Sequence, residues 1–528
     1  MSTDDKAQVQ NQEFSKVRAM IWPIHGYELK KFLPMGLMML CILFIYTLLR
    51  DLKDTLMVSK AVGGGAETLS FLKLYGVTPS AVIFMIIFVK LANIFEREKL
   101  FYVIVLFFLS FFVLFGFVMY PLKEVLHMSA ETIASLQKSW PHLYWLWPVL
   151  GNWSFSLFYI LSELWGSVVL SALFWQFANE ITKVTEAKRF YSLFGFVGNF
   201  GLLASGSVII FCAKLAKASA NIGNADTFAT NLRYQMGAVM LFGTVLVCIY
   251  RWMNKNVLTD PKYYNPDEVG PKKKKPKMGL GESAKMIFTS PYLMLIAVLV
   301  LAYGLSINLI EGIWKGQIKM LYPDSNDYNA LMGKLSLTTG CITIIVMLIG
   351  SNILRLLSWR TSALITPVFL LIASCVFFGV IIYENIHGRD AMIMGQGVLY
   401  IAVITGLVQN AFTKGVKYSL FDSTMQMAYI PLGQEQKVKG QAAVSVLAGR
   451  GGKSGGAFIQ STLLMAAGGG ASLAGLVNIL GSIVFVVVMM WIISVVNLST
   501  RFEKLTSEKA KESEQNSSDS QSNNSENK

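Results

Sequence analysis

The stretch FYILSELWGSVVLSALFW, residues 158–175, sets Glu163 in the middle of an otherwise apolar run. Four more runs carry a charge in the same way. Glu311 lies in LAYGLSINLIEGIW (301–314), and Lys453 in AGRGGKSGGAFIQS (448–461). Lys73 opens FLKLYGVTPSAVIFMIIFV (71–89), and Arg50 closes LMMLCILFIYTLLR (37–50). A charge in hydrocarbon costs about 2.5–3.5 kcal/mol even on the lenient insertion scale, so such residues face a wet cavity or a partner. Three of the five are cationic, which points to a watery pathway for an anionic solute. The competing reading is that they pair with one another to hold helices together.

The whole chain fits that setting. Of its 528 residues 54% are hydrophobic and only 15% charged, against about 25% charged in soluble domains. Mean hydropathy is +0.50. Runs long enough to cross a core of about 30 Å fall at 32–50, 71–93, 99–120, 147–177, 190–213, 233–252, 291–314, 332–355, 362–384, 395–421, 441–466 and 472–497. The expectation is an all-α polytopic membrane protein with about twelve transmembrane helices. The fourth run is either one long helix or a broken one, with Pro148 and Gly166 as candidate break points. The five cysteines are scattered and read as small hydrophobes rather than a disulfide or metal framework. The polar start lacks the short apolar core of a cleaved signal.

Basic residues in the short connections set the orientation. Arg97, Lys99, Lys183, Lys188, Arg189, Arg355, Arg360, Lys437 and Lys439 share one side with the 251–285 connector, which predicts cytoplasmic termini. The expected organisation is a cytoplasmic segment (1–31), a six-helix half (32–252), a basic linker (253–290), a second six-helix half (291–499) and a disordered tail (500–528). The linker's PKKKKPK, with Lys272 to Lys275 and Lys277, reads first as a positive-inside anchor and second as a contact for anionic lipid headgroups. The net charge of +14 comes largely from such connectors and does not indicate a nucleic acid partner.

A weak repeat supports two halves. Helix 1 ends TLLRDLKDTLMVSK and helix 7 ends NLIEGIWKGQIKM, with Glu311 lying 261 residues after Arg50. Parallel six-helix halves are the pattern of major-facilitator transporters. Helical spacing then gathers polar residues on shared faces. Helix 1 offers Tyr46, Arg50, Lys53 and Asp54; helix 4 offers Asn152, Ser156, Tyr159 and Glu163. Helix 7 offers Gly304, Asn308, Glu311 and Lys315; helix 10 offers Gln409, Asn410, Lys414 and Lys417; helix 11 offers Gly449, Lys453, Gly456 and Gln460. The glycines beside Lys453 read best as close helix packing. AGRGGKSGG is not a P-loop, because Leu447 stands where its first glycine belongs. Any phosphate contact would come from Lys453 and Arg450 as point charges. The four histidines are scattered, and neither H-E-x-x-H nor G-x-S-x-G occurs, so catalysis and a metal site are not expected.

The segments RDLKD, SFLKLYGVTPSAV, ELWGSVVLSALFWQFANEITK, EAKRFYSLFG, RWMNKNVLTDP, NLIEGIWK, KGVKYSLFD, MAYIPL, KVKGQAA and GKSGGAFIQS resemble the ATP/ADP translocase family of obligate intracellular bacteria and plastids, its chlamydial members in particular. The likeness runs from about residue 19 to 503. It implies antiport of host ATP against bacterial ADP on a major-facilitator-like fold in the inner membrane, with no cofactor and with phosphate as a further candidate solute. The family's important charges match Lys73, Glu163, Glu311 and Lys453. Under that resemblance Lys73, Lys453 and Arg50 would neutralise phosphates, and Tyr46, Tyr159 or Trp165 would stack on adenine. Glu163 and Glu311 would hold the nucleoside or pair with the lysines in the empty site. Proton-coupled or broader nucleotide import is the alternative transporter, and a channel or scaffold with structural ion pairs is the alternative of another class.

Overall fold

The computed structural model describes residues 24–182, 184–219, 226–261, 263–264 and 280–526, some of them by backbone alone. Its long helices are α1 (Gly26–Lys60), α2 (Thr68–Ile94), α3 (Arg97–Met119), α4 (Trp153–Ile181), α5 (Val184–Ser219), α6 (Thr227–Asn256), α7 (Pro291–Leu321), α8 (Ser325–Leu356), α9 (Trp359–His387), α10 (398–428), α11 (434–467) and α12 (Val477–Glu526). Among the described residues, ten helices are long and apolar enough to cross a membrane. Gln409, Asn410 and Lys414 lower the hydropathy of α10, and Arg450, Lys453 and the glycines around them lower that of α11.

Local chemistry sets the boundaries. The Asp226 side chain caps α6 by accepting from the Phe228 and Ala229 amides. Ser290 caps α7 ahead of Pro291, where a missing N–H costs nothing. The fourth run is broken. Leu146–Gly151 and α4 meet at Asn152, whose amide donates to the Val62 and Pro148 carbonyls and accepts from the Val62 N–H. α1 begins at Gly26 rather than at 32, because Arg189 binds Glu28 and Glu186 binds Lys31. The tail expected to be disordered from residue 500 instead continues α12 to Glu526; it contains no proline or glycine to stop a helix. The PKKKKPK stretch lies outside the described residues.

α1 packs on α5 and α6, α7 packs on α10, α11 and α12, and α5 crosses α8 between the halves. That crossing needs small residues, as a Cβ on Gly206 would sit 2.6 Å from the Gly333 carbonyl oxygen. The ends of the helices remote from the chain termini are tied together across the halves. Ser59 meets Ser325 at 3.0 Å, and Asn231 donates to Asn326 and Gln235 to Asn329. The Trp145 indole donates to the Ala471 carbonyl, and the Leu473 amide to Glu67. Toward the other end, the Thr78–Ile94 part of α2 buries no residue. The halves are therefore tied together at the end remote from the termini, while this part of α2 lies exposed toward the end that carries them.

Candidate functional site

Just inside the seal, α1, α2, α4, α7, α10 and α11 converge on a cluster of charges. Lys53 is 3.0 Å from both Asp54 and Glu163, with its ammonium 3.6 Å from the centre of the Tyr159 ring. Lys315 is 2.8 Å from Asp54 and 3.5 Å from Glu311, and Lys414 is 2.7 Å from Glu311. Arg50 lies 3.0 Å from Asp51 and donates to the Ser336 hydroxyl, which in turn donates to Asp51. Four cations thus meet four carboxylates. Exposed ion pairs contribute little; here Lys53, Asp54 and Lys315 are almost wholly buried, where an unpaired charge would be costly.

Three cations stand outside this balance. Lys73 is half-buried and donates only to the Asn308 amide oxygen, at 2.8 Å. Lys453 is exposed, and so is Arg450 one turn earlier on α11. Among the described residues, none of the three has a carboxylate within ion-pair distance. A neutral acceptor steadies Lys73 without cancelling its charge. Such an arrangement binds anions at hydrogen-bond range, and charge-assisted contacts of this kind are worth about 1.5–3 kcal/mol each.

The structure brings Lys73, Glu163, Glu311, Asn308, Arg50 and Tyr46 to one centre, with Lys453 and Arg450 exposed on α11. It revises some of their expected roles. Glu163 and Glu311 bind Lys53, Lys315 and Lys414 instead of Lys73 and Lys453. Tyr159 is fully buried beneath Lys53, so its ring face is taken. Trp165 is also fully buried; it packs edge-on to Phe108 and donates its indole N–H to the Ile42 carbonyl. Two residues beyond Glu163 on a helix is the opposite face, so Trp165 holds α4 to α1. Of the three aromatic residues, Tyr46 is the one that is only half-buried; its ring lies against Gly166 of α4.

Lys53, Asp54, Lys315 and Lys414 share helical faces with the expected residues, and the sequence signal for them was that spacing. Asp51 and Ser336 gave no such signal. The backbone is irregular where the site is built. Lys73 lies in a π turn (Leu72–Val77), and π turns follow Glu163 (Gly166–Phe174) and Lys414 (Lys417–Phe421). Another, Ser445–Gly449, runs into Arg450. Such turns concentrate at functional sites because they re-aim side chains within a helix. The glycines near Lys453 serve packing: a Cβ on Gly452 would meet the Leu301 carbonyl oxygen at 2.9 Å, and one on Gly456 the Asn308 Cβ at 2.8 Å. Among the described residues no cluster of metal-ligand type occurs.

Two helical halves tied at one end around a buried charge centre define a multi-pass membrane carrier. Solved structures agree on the fold. A bacterial homologue of the iron transporter ferroportin in an inward-facing state aligns with a TM-score of 0.58 at 10% identity, over 90% of this chain and 100% of that one. A D-xylose–proton symporter aligns with a TM-score of 0.50 at 11% identity, over 88% and 97%. The fold is that of the major-facilitator transporters. Residues 7–502 match the family model of the TLC ATP/ADP transporter, and the chain belongs to that family. ADP,ATP carrier protein 1 of Chlamydia pneumoniae is 48% identical over 93% of this chain and 95% of its own length. The protein of the same name from Rickettsia conorii is 48% identical over 94% and 98%. ADP,ATP carrier protein 3 of Rickettsia bellii is 42% identical over 93% and 98%. The protein is a transporter and not an enzyme.

Proposed function

We propose that this carrier exchanges ATP for ADP across a bacterial inner membrane by alternating access, bringing host ATP inward, with both chain termini cytoplasmic. The observation that carries this reading is the charge balance of the centre. Every carboxylate there is matched by Lys53, Lys315, Lys414 or Arg50, which leaves Lys73 and Lys453 for a polyphosphate, with Arg450 one turn before Lys453. Tyr46 supplies an aromatic face for the base. Glu163 and Glu311 keep neighbouring lysines neutralised and do not repel the phosphates directly. Phosphate fits the same cations as a smaller anion, and the basic linker suits anionic headgroups on the cytoplasmic side.

The test is reconstitution with labelled ATP outside and ADP inside. Lys73→Ala and Lys453→Ala are expected to abolish exchange while inserting normally, each costing about 1.5–3 kcal/mol of nucleotide affinity. Wild-type affinity and exchange in both variants would remove the phosphate assignment. Full-rate uptake into vesicles without internal nucleotide would replace antiport by uniport or proton symport.

A further inference from the structure

We propose that Asp54 and Lys315 form a make-and-break latch between the two halves, a step of the alternating-access reading above, and that Lys53 and Glu311 are the reserve partners that let it open. The geometry separates this pair from the others at the centre. Lys53–Glu163 joins α1 to α4 within one half, and Glu311–Lys414 joins α7 to α10 within the other. Both can travel intact when the halves rock. Asp54–Lys315, at 2.8 Å, joins α1 to α7 and is almost wholly buried. Opening the sealed end between α1 and α7 must break it.

Breaking a buried pair is normally prohibitive, because each ion is left without a partner. Here each has a second one on its own helix. Asp54 uses one carboxylate oxygen for Lys315 and the other for Lys53, at 3.0 Å. Lys315 has Glu311 one turn before it on α7, at 3.5 Å. When the halves part, Asp54 stays with Lys53 and Lys315 stays with Glu311. The latch therefore holds the sealed state without a stranded charge in the open one. Its position suits the task, since Lys315 lies 261 residues after Asp54, the same separation as Glu311 from Arg50. The two are equivalent positions of the repeat, facing each other with opposite sign.

The seal can be read without transport. In a parent lacking the native cysteines, Ser59→Cys places a thiol where Ser59 now bridges to Ser325. A membrane-impermeant maleimide added from the sealed side reports how often that end opens. Asp54→Asn should raise labelling by about tenfold or more, as expected when one state loses a stabilising contact. Lys315→Met should do the same, and each variant leaves every remaining charge partnered. ATP binding should persist in both, which also verifies folding. The exchanged pair Asp54→Lys with Lys315→Asp rebuilds the bridge but sets a lysine beside Lys53 and a carboxylate beside Glu311. Its labelling should return to the parent's while exchange stays slow, because opening now leaves like charges together. Parental labelling in both single variants would overturn the latch. Parental exchange in the double variant would overturn the reserve partners. Absent exchange in the parent itself would count against the antiport reading alone.

Discussion

The amino-terminal and carboxy-terminal halves solve the same problem with opposite signs. In the first, a lysine of α1 binds a carboxylate of α4; in the second, a carboxylate of α7 binds a lysine of α10. Equivalent positions of a two-fold repeat face each other at the axis, so identical charges there would repel in a low dielectric. Reversing the sign turns that repulsion into attraction. A second parallel is neutral. The Trp165 indole ties α4 to the Ile42 carbonyl on α1, and the Trp314 indole ties α7 to the Val403 carbonyl on α10. The halves differ in how much each pair is backed up. Lys53 keeps Asp54 if Glu163 is lost, whereas Lys414 has Glu311 as its one carboxylate among the described residues.

That difference ranks the expected effects. Glu311→Gln strands Lys414, so exchange should fall furthest, while ATP binding stays within about tenfold, roughly 1.4 kcal/mol. Glu163→Gln should slow exchange less, since Lys53 remains paired. Parallel binding and counter-exchange measurements decide the order; equal losses in both variants would break the asymmetry, and binding that falls in step with exchange would make the carboxylates ligand contacts. Next come Trp165→Phe and Trp314→Phe. Each loses one buried hydrogen bond to a carbonyl that keeps its own helical partner, about 0.5–1.5 kcal/mol of stability, with nucleotide affinity unchanged. Thermal unfolding in detergent and a binding assay would show it, and a drop in affinity for the Trp165 variant would return that ring to the ligand.

The smallest effect concerns the connection at the sealed end of the first half. His127 bonds to Ser154 and packs edge-on to Phe155. Burial, aided by the nearby Lys123 charge, holds its imidazole down at about 4, below the ordinary ~6.5. As pH falls the unfolded chain takes up the proton first, so stability is lost between about pH 6.5 and pH 4. His127→Gln should flatten that part of the stability–pH curve. An unchanged slope would mean that other groups set it.

The spans and the charged residues were legible because each is a local property: a run of apolar residues, or one charge within it. Shared faces were legible too, since helical period placed Lys53 with Arg50 and Lys315 with Glu311. Pairing was not. Lys53 and Glu163 are far apart in the chain, and composition cannot say whether a glutamate meets Lys53 or Lys453. The aromatic residues show the same limit from the other side. The resemblance suggested a stacking role for Trp165, although a two-residue step along a helix from Glu163 turns its side chain away. The break at Asn152 was foreseen only as a question, because it depends on Val62, which contacts Asn152 from the turn after α1.

The matched centre has a consequence for membrane voltage. Four cations against four carboxylates add no net charge, so a potential acts on the nucleotide and on the few unpaired cations rather than on the network. For the exchange proposed above, fully ionised ATP and ADP differ by one negative charge. Each turnover that brings ATP in then moves one negative charge inward, worth about 2.3 kcal/mol per 100 mV. A potential negative inside opposes that direction and favours the reverse. Under that proposal the carrier is a battery-sensitive exchanger whose net direction depends on the ATP/ADP ratios on the two sides, on the voltage, and on any anion that leaves with ADP.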